Sequence, residues 1–351
     1  MTVEERTLIA EPSAADLEMV SRCGLCQGPL TPLHMRLTSH TDGPWALSEC
    51  AACATAWLSP RYTRQAIGKA YSTEYQPYNA APLRSVPRSA GERALRAIAD
   101  AHLASAYGYA LPHSRGAALG AKAAPATTRA ADRLVRHAPA PFGSQRLLDV
   151  GCSNGGYLAL MRELGWGTAG IEPDEGAATQ ARNRGLSVRR GVISDLSAEI
   201  DGTFDYITLG HVLEHVHDPV LALDAVRSVL APGGVVWIAT PNLRSLNHRV
   251  FGRHWRALDP PRHLVLFTPR SLSALLCQVG FTDVHQARPI ASAGWNIRES
   301  LGVVGLHRGA RQIARVGGTV VNALSYRRWV LADEMIFIAR LPRTPVPAQK
   351  R

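Results

Sequence analysis

Three groups of residues in this chain have the types and spacing to do chemistry. The first is Asp149, the turn Gly151-Cys-Ser153-Asn-Gly155-Gly156, and Glu172 with Pro173 behind it. Glycines let backbone approach a ligand with no Cβ in the way. A carboxylate at the end of a second strand can accept two hydrogen bonds from ribose hydroxyls. The second group is a set of histidines, His211 and His215 four apart and His263 further on, whose near-neutral pKa suits them to take a proton from an acceptor. The third is Cys23-Gly-Leu-Cys26 with Cys50-Ala-Ala-Cys53, the spacing of two knuckles that close a tetrahedral thiolate site.

Positioning the first group requires a strand over Arg146–Val150, a helix from about Gly156 to Leu164, and a strand from Thr168 to Glu172. In an open parallel sheet, ligands bind just beyond the carboxyl ends of the strands. The dinucleotide fingerprint Gly-x-Gly-x-x-Gly cannot be written here, because Ser153 stands where its second glycine would fall. Phe204 to Gly210 reads as a further strand, and His211 and His215 are then expected on one face at the start of a helix. Pro232-Gly233-Gly234 turns into the apolar strand Val235 to Thr240, and Asp333 to Arg340 reads as a last strand.

Asp149, Gly151 and Gly155, with Ser153 in place of a middle glycine, resemble the first motif of class I S-adenosylmethionine (SAM) methyltransferases, Asp-x-Gly-x-Gly-x-Gly. The likeness continues in order through Glu172, the Leu213-Glu214-His215 segment, Pro232-Gly233-Gly234 and the final strand. It implies an α/β fold, a Rossmann-like seven-stranded methyltransferase sheet, over residues 141–345. It further implies that SAM is held by Asp149, Gly151, Ser153, Gly155, Glu172 and Pro173, with His211 close to it. Val192 stands where many members carry an acid for the adenine amino group, which leaves that contact to backbone near Ile193 and to Asp195. A small cysteine-bearing domain ahead of such a sheet resembles a bacterial subgroup that includes sugar C-methyltransferases.

The four paired cysteines are expected to hold one structural zinc ion in a zinc ribbon-like domain over residues 1–75, followed by a helical cover over 76–140. Two disulfides are the competing reading. Absence of a secretory pattern at Met1-Thr-Val-Glu-Glu favours metal, a reducing compartment and a cytoplasmic location. So small a domain buries little apolar surface, so metal binding is expected to supply its folding energy, in a core separate from that of the SAM domain.

The segment from Asn242 through His254, Trp255 and Asp259 to Arg262 and His263 is too long and polar for a simple connection, and similar stretches occur in methyltransferases acting on small molecules. Asn242, His254, Trp255 and Arg262 are candidate substrate contacts; packing by Trp255 and an ion pair between Arg262 and Asp259 are the structural alternatives. His211, His215 and His263, in that order, are the candidate bases.

The formal charge of +11 is uneven: residues 81–140 carry nine Arg or Lys against three acids, and residues 297–351 carry ten against three. A basic cover suits an acidic acceptor; a solvated surface is the plain alternative. At 46% hydrophobic the chain can build a full core, and it has no apolar run long enough to span a membrane. The expected function is methyl transfer to a small molecule, first as O-methylation of a secondary metabolite or a sugar or glycan precursor. C- or N-methylation of a nucleotide-linked sugar or natural product stays open. Beyond this class stand a nucleic-acid binding or modifying protein, disfavoured because no aromatics interleave with the basic residues around the cysteines, and a non-catalytic SAM-binding scaffold. The sequence is silent on oligomeric state.

Overall fold

The computed structural model describes residues 12–37, 43–71, 87, 89–289, 292–307 and 309–343. In chain order come β1 (Leu17–Glu18), β2 (Leu30–His34), β3 (Leu47–Cys50), β4 (Ala56–Leu58) and β5 (Arg61–Tyr62), then α1 (Ala90–Tyr107), α2 (Arg115–Ala123) and α3 (Pro125–Leu134). Next are β6 (Arg146–Val150), α4 (Gly156–Glu163), β7 (Gly167–Glu172), α5 (Glu175–Asn183), β8 (Val188–Arg190), α6 (Leu196–Glu199), β9 (Phe204–Gly210), α7 (Pro219–Val229) and β10 (Leu230–Pro241). The chain closes with α8 (Leu246–Phe251), β11 (Val265–Leu266), α9 (Pro269–Gln278), β12 (Thr282–Ala287), α10 (Ala293–Val303), α11 (Ala310–Arg327) and β13 (Glu334–Arg340).

Seven strands form one sheet in the order β12-β13-β10-β9-β6-β7-β8, with β6, β7, β8 and β9 mutually parallel where they pair. This is the expected Rossmann-like methyltransferase sheet. A parallel sheet buries both faces, which is why β6 and β9 read as apolar runs rather than alternating ones; Leu147, Leu148, Ile207 and Leu209 are fully enclosed.

By packing, the chain divides into two units: Met1–Tyr75, Gly210–Asp224 and Ile238–Ala339 form one, and Gln76–Leu209, Ala225–Trp237 and Arg340–Arg351 the other. This differs from the expected partition at residues 75 and 140. Within the first unit, β11 completes a four-stranded sheet, β11-β4-β3-β2, with Val265 opposite Trp57 and Leu266 opposite Ala56. Trp45, Leu47, Leu58 and Tyr62 accordingly share one core with Leu243, Trp255, Leu258, Leu264 and Leu266. Among the described residues, the cysteine-bearing segment therefore has no core of its own. Its three strands leave an apolar face that residues 243–266 cover.

In the second unit, α1, α2 and α3 precede the sheet. Ser89 caps α1 by accepting from Glu92 N, and Gly108 ends it at φ +78°. Asp132 of α3 accepts from the Tyr107 hydroxyl (2.9 Å) and lies 2.6 Å from His102 Nε2, tying α3 to α1. Two local expectations change. Gly233 and Gly234 lie within β10, exchanging backbone hydrogen bonds with Leu341, rather than preceding the strand. Residues 211–215 do not open an α-helix: His211 sits at φ +57° and only Leu213–His215 form a 3-10 turn.

Candidate functional site

The loop after β6 is built around left-handed backbone. Gly151, Ser153 and Gly155 all have positive φ, +70°, +50° and +77°. Ser153 thus adopts the conformation for which a glycine is the usual choice. At Gly155 a Cβ would lie 2.9 Å from the Ala181 Cβ and closer still to Leu186, so α5 and the residues just after it hold this position to glycine. Gly151 N and Cys152 N both donate to Ile171 O, fastening the loop to β7.

Glu172, only 3% exposed, accepts from Ser153 N on Oε2 (2.7 Å) and from Asp174 N on Oε1 (3.0 Å). Burial raises its pKa, and the two backbone donors oppose that. Each carboxylate oxygen retains a lone pair for a further donor. Asp149 accepts from the Thr208 hydroxyl (2.7 Å) and from Arg136 Nη1, while its buried Oδ2 has no partner among the described residues. Arg136, at φ +48°, lies over the Tyr157 ring at 3.8 Å, and its carbonyl accepts from the Tyr206 hydroxyl. Sequence reading missed it, because nothing near residue 136 signals that an arginine from the cover pairs with the acid of β6. Pro173 leads into α5, which Asp174 caps. Asp195 caps its own turn through Val192 N, beside the buried Ile193. An orphaned acid oxygen, a carboxylate with open lone pairs and a turn that excludes Cβ atoms together fit a nucleoside cofactor.

In the first unit, the histidines separate into two settings. His211 donates from Nδ1 to Glu214 Oε1 (3.0 Å) and from Nε2 to Glu334 Oε2 (2.6 Å). With both nitrogens donating, the ring is an imidazolium. Burial opposes that charge, but Glu334 and Glu214 outweigh it and raise the pKa well above the usual histidine value. Glu214 is fully buried, also accepts from the Thr240 hydroxyl (3.0 Å), and is held below the usual carboxylate range by His211 in spite of its burial.

His215 and His263 approach the same Glu214, each with a ring nitrogen within 4.8 Å of one of its oxygens. The Nδ1 of His215 lies 3.0 Å from Arg262 O and 3.1 Å from the Tyr71 hydroxyl, and burial lowers the pKa of His215. His263 packs edge-on against it, with ring centroids 4.8 Å apart, and donates from Nδ1 to Ala257 O (2.8 Å); burial pushes its pKa down to about 4. His217 Nε2 lies 2.8 Å from Tyr62 O.

The other loop candidates hold the fold. Arg262 pairs bidentately with Asp259 (2.7 and 3.1 Å), which Arg256 also meets at 2.8 Å. Trp255 is buried in the shared core. Asn242 donates to Val330 O and Ala332 O, both at 2.8 Å. His254 remains half-buried beside Arg253.

The cysteines form two matching turns. Gln27 N donates to Cys23 O and Ala54 N to Cys50 O, each at 2.9 Å, and the residue after the second cysteine is left-handed in both, at φ +58° and +59°. The four sulfurs lie within 4.8 Å of one another, with Cys23 to Cys53 at 3.5 Å and Cys26 to Cys50 at 3.4 Å, and none is in a disulfide. Ligands about 2.3 Å from a tetrahedral zinc stand roughly 3.8 Å apart, so the cluster has the size for that ion.

Residues 123–286 match a methyltransferase domain family. Among curated relatives, a ubiquinone biosynthesis O-methyltransferase of Caulobacter vibrioides is 38% identical over 111 residues, 30% of this chain and 44% of the relative. Its counterpart from Cereibacter sphaeroides is 33% identical over 161 residues, 42% and 65% of the two chains. The chain spans between 43% and 65% of the length of the curated relatives it matches. A solved SAM-dependent methyltransferase from Archaeoglobus fulgidus is 22% identical over 61% of this chain and 92% of its own, with a TM-score of 0.42. Residues 123–286 are thus a methyltransferase domain.

Proposed function

We propose that the chain transfers a methyl group from SAM to a hydroxyl of a small-molecule acceptor. The observation that carries this reading is the left-handed turn at Gly151, Ser153 and Gly155 joined through Ser153 N to the buried Glu172. Glu172 has the lone pairs to take the ribose hydroxyls, and Asp149, paired with Arg136, presents a buried oxygen to the same loop. Backbone near Ile193 and Asp195 is assigned to the adenine. When bound, SAM supplies an electrophilic methyl sulfonium, so acceleration comes largely from alignment and exclusion of water.

Oxygen as the acceptor atom is favoured by the names of the Caulobacter vibrioides and Cereibacter sphaeroides relatives, both O-methyltransferases. A hydroxyl needs a base. His215 is the best suited of the three candidates: its Nδ1–H is directed to Arg262 O, its Nε2 keeps a lone pair, and burial keeps it neutral. His263 is equally neutral but more enclosed, and His211, already protonated, supplies fixed positive charge instead. Cys23, Cys26, Cys50 and Cys53 are proposed to hold one zinc ion, structural because four thiolates leave no open position.

Calorimetric titration with SAM tests the first step. Transfer of isotope-labelled methyl to a panel of hydroxylated quinone precursors, sugar nucleotides and amines tests the second. Failure to bind SAM would overturn the reading, and labelling of amines alone would overturn the hydroxyl.

A further inference from the structure

Val135 to Ala138, just after α3, are fixed residue by residue. Arg136 and His137 are both left-handed, at φ +48° and +56°. Neither is glycine, so this backbone is costly and persists only where its surroundings over-determine it. The Tyr157, Tyr206 and Tyr109 hydroxyls donate to the carbonyls of Val135 (3.2 Å), Arg136 (2.9 Å) and Ala138 (2.9 Å), and Trp237 Nε1 donates to His137 Nδ1 (3.2 Å). The fixing thus comes from α4, β9, β10 and the connection after α1.

What this fixing delivers is a cation at a buried acid. The Arg136 guanidinium lies over the Tyr157 ring at 3.8 Å and the Trp237 ring at 5.5 Å, and its Nη1 donates to Asp149 Oδ1 and to the Thr208 hydroxyl (3.0 Å). Asp149 is only 1% exposed, and such enclosure favours the neutral carboxyl. Burial raises its pKa, opposed by the Arg136 charge and then by the hydrogen bonds from Thr208 and Arg136. The other titratable groups that face the pair give no support. Glu172 is a second acid, and burial pushes up the Cys152 thiol and the Tyr157 and Tyr206 hydroxyls, which stay neutral. Asp149 Oδ2, meanwhile, has no partner among the described residues. An ionised oxygen left bare beside the ligand turn calls for a positive group, and SAM carries positive charge on its sulfonium and its α-ammonium.

We propose, on the reading of this turn as a SAM site, that Arg136 is a positioning residue for the cofactor: aimed by Tyr157, Tyr206 and Trp237, it keeps Asp149 an anion whose bare Oδ2 meets the positive charge of SAM. The test is calorimetric titration of the full chain with SAM from about pH 6 to about pH 8, in wild type, Arg136→Met, Arg136→Lys and Asp149→Asn. Wild type should bind with level affinity across this range. In Arg136→Met the acid is protonated at the lower end, so affinity there should be at least tenfold weaker and should recover as pH rises and Asp149 ionises. Arg136→Lys keeps the cation and should restore the level profile. Asp149→Asn, fixed in the uncharged form, should stay at the weak level at every pH. Unchanged affinity in Arg136→Met, or a loss that is equal at all pH values, would reduce Arg136 to packing and overturn the proposal. Should Arg136→Met fail to fold, Asp149→Asn decides, because it leaves Arg136 in place: full SAM affinity there overturns the proposal and a pH-independent loss supports it. Absence of SAM binding in wild type would instead overturn the cofactor reading itself.

Discussion

Glu172 and Glu214 are both buried carboxylates near the ends of sheet strands, yet they are satisfied in opposite ways. Glu172 accepts from two backbone N–H groups within its own strand-turn neighbourhood. Glu214 is held by the side chains of His211 and Thr240, and His211 is itself held by Glu334, 123 positions away. Correspondingly, burial raises the pKa of the first, whereas an imidazolium holds down that of the second. A carboxylate fixed by local backbone keeps lone pairs for a ligand. One fixed by charged side chains has its charge neutralised and serves to position its neighbours.

The largest effect should come from metal removal. β11, which follows His263 by two residues, pairs with β4 of the cysteine sheet, so the setting of His263 and His215 depends on that sheet. Chelation or Cys50→Ser should melt this sheet and collapse the dispersion of the His215 and His263 imidazole NMR signals, structural zinc being worth about 10–16 kcal/mol in small domains. SAM affinity, resting on the local loop, should change little. Intact histidine signals in zinc-free protein would break the contrast between local and long-range assembly.

Next in size is His215→Ala, expected to lower turnover about 10²–10⁴-fold with SAM affinity nearly unchanged. Because burial lowers the pKa of His215, wild-type rates should stay level above the ordinary histidine value near 6.5 and decline only in more acid solution. A rate that rises through pH 8 would point to a different base.

Glu172→Ala removes acceptors for two ribose hydroxyls, each hydrogen bond to a charged group contributing about 1.5–3 kcal/mol. SAM affinity by calorimetry should fall at least tenfold, and the melting temperature should also drop, because Ser153 N and Asp174 N lose their buried acceptor. The smallest effect is expected at His211. Its raised pKa means that the ion pairs with Glu334 and Glu214 contribute fully below the ordinary histidine value and are lost as pH rises through the raised one. Melting temperature should therefore sag at alkaline pH in wild type, and less so in His211→Gln. Parallel curves would show that the half-exposed ring contributes nothing measurable.

How far the sequence revealed these regions follows from the same contrast. Asp149, the glycine turn and Glu172 lie on one strand-turn-helix-strand unit, so spacing alone placed them, and the paired cysteines were legible for the same reason. The Tyr71, His215 and His263 group draws on three distant segments, and Glu334 reaches His211 only because β13 enters the sheet beside β10. Arg136 went unseen because an arginine in an Arg-rich helical segment has no local mark. The helix expected at His211 failed at a left-handed residue that composition does not announce.

The pairing of Trp57 with Val265 also bears on how the chain comes to be folded. A ribosome adding about 5–20 residues per second needs on the order of 10–40 s to make the roughly 200 residues between them. During that interval β4 is an open edge over an uncovered apolar face, a template for pairing with the wrong chain. Early capture of a metal ion by the two cysteine turns would hold the hairpin in register through the wait. Zinc supply during synthesis, more than zinc content afterwards, should then decide how much of the protein escapes aggregation.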